Sequence, residues 1–182
     1  MGPLRFLALA ILAFTLVTAI FAKAAEHGFS EYEVKAGFIY HIAKFVQWPE
    51  KNRADTRDSL DLCILGSDPF GKAFDQIEGR LVGGRRLGTK RIRSVKESKG
   101  CHMLFISRSE KARVSRIAEA IRDLGILTIG DTEGYAQQGI IVNFYMEGRK
   151  IRMEIDADRA RQSNLTISSH LLKVARITRG KQ

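Results

Sequence analysis

Apolar and polar positions recur with two different periods along this chain, and each change of period marks an element. A short apolar run opens at Cys101 and closes at Ser107, and a second follows at Ile126–Ile129. Between them Val114, Ile117, Ala118, Ile121 and Leu124 recur every three or four residues, one face of an amphipathic helix. Ser107 and Ser109 suit its N-cap, and Gly125 suits the left-handed position at its end. Strand, capped helix and strand within about 30 residues predict a βαβ unit with two parallel neighbours.

The same reading places the other elements. Val34, Phe38, Ile42 and Phe45 form a stripe, joined by Ile39 and Val46, behind the capping box Ser30 to Glu33. This predicts a helix from Glu31 to Val46, ended by Trp48-Pro49 because proline disfavours the helical state in the residue before it. Trp48 either covers the core edge or stacks on a ligand. A polar loop spans Lys51–Ser59, a strand Leu60–Leu65 and a short helix Phe70–Ile77. Leu87 to Ile92 alternates as a solvated strand. Ile140–Met146 and Lys150–Ile155 form a hairpin with Ile151, Met153 and Ile155 on one side and Arg152 and Glu154 on the other. Asp156 caps a helix over Ala157–Ser163, and Leu165–Ile167 is extended. Ser168 or Ser169 caps a last helix burying Leu171, Leu172, Val174 and Ala175. The tail from Arg176 frays. The expected architecture is a single α/β domain: a mixed sheet of five or six strands with helices on both faces, a three-layer sandwich.

The first 25 residues differ in kind. Arg5 precedes an apolar run from Phe6 to Ala22, and Ala22-Lys23-Ala24 has the small-x-small cleavage pattern. Residues 1–24 read as a secretory signal peptide and 25–182 as the exported domain; an uncleaved anchor is the alternative. Removing Arg5 and Lys23 from the 30 basic residues leaves 28 against 20 acidic, so the net charge falls from +10 to +8. Such a balance favours acidic partners, or simply keeps the protein soluble. Export argues against nucleic acid.

In an exported chain the two cysteines, Cys63 and Cys101, are candidates for a disulfide between neighbouring strands, with two buried thiols as the alternative. The segment Gly79–Arg93 is rich in glycine and carries Arg80, Arg85, Arg86, Lys90 and Arg91. It reads either as an edge strand protected by its charges or as a docking surface for an acidic partner. It contains no phosphate-binding glycine motif. Asp131, Glu133 and Tyr135 lie in a turn at the end of a predicted parallel strand, where such sheets place ligand groups; the carboxylates either serve a ligand or cap the turn. His27, His41, His102 and His170 show neither metal-ligand spacing nor a neighbouring nucleophile motif. No cofactor, metal site or catalytic constellation is expected, so binding is favoured over enzymatic catalysis. A periplasmic small-molecule-binding sensory domain is the second functional reading.

Several stretches carry a resemblance: Val34–Pro49 (VKAGFIYHIAKFVQWP), Cys63–Gly71 (CILGSDPFG), Cys101–Ser107, Leu127–Asp131 (LTIGD), Ile151–Ile155 (IRMEI) and Leu165–Leu172 (LTISSHLL). In this order they resemble the YfiR family. The resemblance implies a periplasmic regulator that represses the sensor domain of an inner-membrane diguanylate cyclase, and so controls cyclic-di-GMP and biofilm. It further implies an outer-membrane lipoprotein that sequesters the repressor, a homodimer, and redox sensitivity through disulfides. Cys63 and Cys101 match one cysteine pair of that kind; a second has no counterpart here. Contact through the basic segment or through the first helix is expected.

Overall fold

Eight strands form the central sheet, and its middle strands bury side chains on both faces. The computed structural model describes residues 29–49 and 58–179. The segment expected as a signal peptide, His27 and most of the polar loop lie outside the described residues. Glu31–Gln182 form one compact unit; of the other, Met1–Ser30, only Phe29 and Ser30 are described.

In chain order the elements are α1 (Glu31–Ala43), β1 (Val46–Gln47), β2 (Ser59–Leu65), β3 (Leu81–Val82), β4 (Arg85–Ile92), β5 (Met103–Ile106), α2 (Val114–Ala120), β6 (Leu127–Gly130), β7 (Val142–Glu147), β8 (Lys150–Asp156), α3 (Ala157–Gln162), β9 (Thr166–Ile167), α4 (Ser169–Lys173) and β10 (Arg176–Thr178), with short 3-10 turns between several of them. The sheet order is β10-β8-β7-β6-β5-β2-β4-β3. Strands β4, β2, β5, β6 and β7 run parallel, and the hairpins β3–β4 and β7–β8 are antiparallel.

The core strands are apolar on both sides, as expected of parallel strands covered twice. Leu60, Leu62, Ile64, Met103, Phe105, Leu127 and Ile129 point to one face, where α1 and the Phe70–Ile77 segment pack. Cys63, Leu65, Leu104 and Ile106 point to the other, against Val114, Ile117, Ala118 and Ile121 of the α2 region. The mixed α/β sheet with helices on both faces is therefore the one the pattern predicts. So is the parallel β5–α2–β6 unit, although Ser107 caps the 3-10 segment Arg108–Arg113 that precedes α2, and Gly125, left-handed at φ 64°, follows a 3-10 turn over Arg122–Leu124 rather than α2 itself.

The sheet is larger than five or six strands because β3 and β10 extend its edges. β10 falls where the tail was expected to fray. It pairs in parallel with β8, held by Arg176, whose guanidinium bonds the Glu154 carboxylate at 2.8 Å and lies 4.2 Å from the Tyr145 ring. That contact also buries Glu154, which alternation assigns to solvent; its second oxygen accepts from the Asn143 amide at 3.0 Å. The first helix stops at Ala43, three residues early. There the chain turns, Phe45 O accepts from Ser168 N–H, and β1 pairs with β9. The buried stripe of α1 is Lys35, Ala36, Ile39, Tyr40, Ile42 and Ala43; Phe45 is exposed. In α4 only Leu171 is buried, and Val174 is exposed. Leu124 is also exposed, because the helix it was assigned to ends at Ala120.

The two cysteines form a disulfide, with Cα atoms 5.8 Å apart. Cys63 lies in β2, and Cys101 lies just before the neighbouring β5 rather than within it. Trp48 covers the core edge: it is buried, and its indole N–H donates to the His102 carbonyl at 2.9 Å. His102 is buried too, with Nδ1 accepting from the Asp61 N–H at 3.1 Å.

Candidate interaction surface

The basic segment folds back as the hairpin β3–β4, and the turn chemistry explains why. Gly83 and Gly84 both have positive φ, 56° and 83°, which a two-residue hairpin turn of this hand requires and which side-chained residues resist. Strand β3 pairs only with Arg85 and Arg86, so most of the outer edge of β4 has no strand beside it. The charges along it suit an edge kept from pairing with other chains.

Alternation along β4 then divides the basic residues. Lys90 bonds the nearly buried Asp61 carboxylate at 2.7 Å on the disulfide side, where Gly88 leaves room: a Cβ there would sit 2.8 Å from Asp61 Oδ1. Arg91 bonds Asp68 at 2.7 Å, and Arg86 is exposed. Arg85 lies on the α1 side, its guanidinium 5.4 Å from the Trp48 ring centre. Arg80, just before the hairpin, lies 4.7 Å from the Tyr40 ring, with Lys44 Nζ at 4.3 Å from the same ring. The Tyr40 hydroxyl donates to the Leu81 carbonyl at 3.4 Å.

The end of α1 and the hairpin therefore meet at Tyr40, whose ring carries two cations. Phe45, next to Lys44, is 40% exposed; Leu81, 56% exposed, pairs with Arg86 and points with it to the disulfide side. Cation–ring contacts of this kind contribute about 0.5–1 kcal/mol each when exposed, so they also order the cationic side chains. Tyr40, Lys44 and Leu81 were not singled out in the sequence, and Phe45 was assigned to the stripe of the first helix. Lys44 and Phe45 carried the signal, a cation beside an aromatic at the helix end, but its meaning depends on a partner 40 positions away.

The turn after β6 is occupied by its own fold. Asp131 accepts from Lys35 Nζ at 2.7 Å, both side chains being about 5% exposed, and Lys35 also reaches Glu31 at 2.5 Å. Tyr135 is fully buried and donates to the Ser107 carbonyl at 2.9 Å. Only Glu133 of the three faces solvent. Among the described residues no group of three or more His, Cys, Asp or Glu side chains is placed to hold a metal ion, and no helix is long and apolar enough to cross a membrane.

Three groups in this region titrate above their ordinary values. Burial raises the pKa of Tyr135, and burial with the neighbouring Asp131 charge raises that of Tyr32, both from 10.0. Burial alone lowers that of Lys35, but hydrogen bonds to Asp131 and Glu31 outweigh it, and the net shift from 10.5 is upward. Each group holds its proton more firmly folded than unfolded. The stability this supplies is complete below about pH 10 and is lost as the pH rises through the folded values. The melting temperature should therefore fall as the pH rises above about 10, followed by circular dichroism. A flat profile there would contradict the assigned environments.

The YfiR/HmsC-like family model matches residues 32–176, most of the chain. This chain belongs to that family. YfiR/HmsC-like proteins are periplasmic and regulatory rather than catalytic, and they act by engaging a partner protein. No curated protein matches the chain. Among solved structures, a conserved domain protein of Vibrio cholerae O1 biovar El Tor superimposes with a TM-score of 0.53 at 12% identity, covering 82% of this chain and 60% of that one. An ABC domain from Streptococcus pneumonia, solved in complex with L-Trp, gives 0.48 at 12% identity, covering 75% and 60%. This YfiR/HmsC-like chain thus spans about three-fifths of each of those chains, and the first likeness is one of fold alone.

Proposed function

We propose that this protein is exported with cleavage after Ala24 and binds the periplasmic sensor domain of an inner-membrane diguanylate cyclase, holding the cyclase inactive. Cyclic-di-GMP synthesis, and with it biofilm formation, stays low until the repressor is withdrawn. An outer-membrane lipoprotein withdraws it by competing for it, and the repressor works as a homodimer. No catalytic role is assigned.

The observation that carries the reading is the convergence of α1 and the β3–β4 hairpin. Separately they are a helix end and a basic edge; together they hold Lys44 and Arg80 on the Tyr40 ring, with Phe45 exposed next to Lys44 and with Leu81 and Arg86 exposed on the other face of the hairpin. That composition suits an acidic partner surface that meets this sheet edge from both faces. Repression then needs only linkage: the regulator binds the inactive sensor more tightly than the active one, and the difference sets the shift.

The triple variant Lys44→Glu, Arg80→Glu, Arg86→Glu should weaken cyclase-sensor binding at least about tenfold, since charge reversal at a rim acts on encounter and specificity. Its melting temperature should hardly change, because all three residues are exposed. In cells, deletion of the gene should raise cyclic-di-GMP, and the wild-type copy but not the triple variant should restore it. Full restoration by the variant would remove this surface from the proposal. Unchanged cyclic-di-GMP after deletion would remove repression itself.

A further inference from the structure

The parallel strands are doubly wound. The chain leaves β2 for β4 on one side, then crosses back over β2 to β5 on the other. The crevice outside the carboxyl ends of the strands, where the winding reverses, is where open α/β sheets take ligands. Here that crevice is a cavity of about 290 Å³ on the disulfide side. Its apolar wall comes from three elements: Leu65, the last residue of β2; Val95, on the crossover after β4; and Ile117 of α2.

Three cations stand around that wall, Lys96, Arg113 and Arg116. One carboxylate opposes them: Glu110 is buried and bonded by the Arg113 guanidinium. Three positive charges against one negative leave the lining at +2. The Lys96 and Arg116 side chains make no ion pair or hydrogen bond among the described residues. The crossover that carries Val95 and Lys96 is held at both levels: the Ser98 hydroxyl donates to the Val95 carbonyl at 2.7 Å, and Cys101 ties its end to β2. The wall is therefore preformed.

We propose that this cleft binds a small organic dianion with an apolar body, a phosphomonoester or a dicarboxylate. The apolar part lies on Leu65, Val95 and Ile117, and the charged group meets Lys96 and Arg116, with Arg113 shared between the ligand and Glu110. The volume lies at the small end of ligand pockets, about 300–1,000 Å³, which limits the ligand to a small metabolite. The cleft opens on the opposite side of the sheet from the Tyr40–Arg80 surface, so ligand and partner protein can be held together.

Phenyl phosphate is a suitable probe, titrated into the purified protein alone and followed by amide chemical shifts. Saturable shifts at residues 94–97 and 113–117 are expected. Phenol lacks the charge and inorganic phosphate lacks the apolar body, and each should bind at least about tenfold more weakly. Lys96→Glu with Arg116→Glu should lower phenyl phosphate affinity at least about tenfold with an unchanged melting temperature, both residues being exposed. Absent binding, shifts centred elsewhere, equal binding of inorganic phosphate, or an unaffected double variant would each overturn the assignment. No cyclase is present in this titration, so its result is independent of the repressor reading.

Discussion

Replacing Cys63 and Cys101 together by alanine should lower stability by about 4 kcal/mol and the melting temperature by roughly 10 °C. The two residues are 38 positions apart, and the loop they close contains the whole β3–β4 hairpin and the crossover back to β5. Without the cross-link the unfolded chain regains the freedom of that loop, which is the main source of the loss in the chain-entropy account. Reduction of the wild-type protein should give most of the same loss, since it breaks the bond without deleting the buried sulfurs. Equal melting temperatures for oxidised and reduced protein would show that the bond contributes nothing. The effect matters for function because the loop carries Arg80, Leu81 and Arg86 of the proposed interface. A reduced protein should lose partner binding before it loses its fold.

Lys35→Met should cost about 3–5 kcal/mol, because it leaves the Asp131 carboxylate buried without its cation. Lys35 reaches from α1 to the end of β6, and both side chains are about 5% exposed. Its ammonium also lies 4.5 Å from the Tyr32 ring centre. Adding Asp131→Leu should recover most of the loss, since a buried pair is roughly neutral against an apolar replacement, while half a pair is not. Urea midpoints at constant slope would measure both. A single variant as stable as wild type, or a double variant no better than the single, would contradict the account. The pair anchors the first half of α1 to the sheet, and the second half carries Tyr40. Loosening it should therefore also weaken the interface.

Local signals in the sequence were reliable and long-range ones were not. The β5–α2–β6 unit was legible because its periodicity and turn residues lie within 30 residues and its strands are neighbours, even though Ser107 caps the 3-10 segment before α2. The β7–β8 hairpin was legible for the same reason. β10 was not, because its pairing depends on Arg176 meeting Glu154, a contact across the fold that no period records. The stripe read for α1 left out Lys35, which Asp131, 96 positions away, draws inward. Helix α1 ends early for a similar reason, since β1 must pair with β9 near the other end of the chain. Of the candidate surface, the basic residues were visible one by one. Their union with Tyr40, Phe45 and Leu81 was not, because it exists only once the hairpin packs on the helix.

The most direct test of the central claim is capture of partners from solubilised cell envelopes by the tagged mature protein, identified by mass spectrometry. The account predicts recovery of an inner-membrane protein that joins a periplasmic sensor domain to a diguanylate cyclase domain. It also predicts that recovery fails with the Lys44→Glu, Arg80→Glu, Arg86→Glu variant. Envelopes that contain such a cyclase but yield none of it to the wild-type protein would contradict the account.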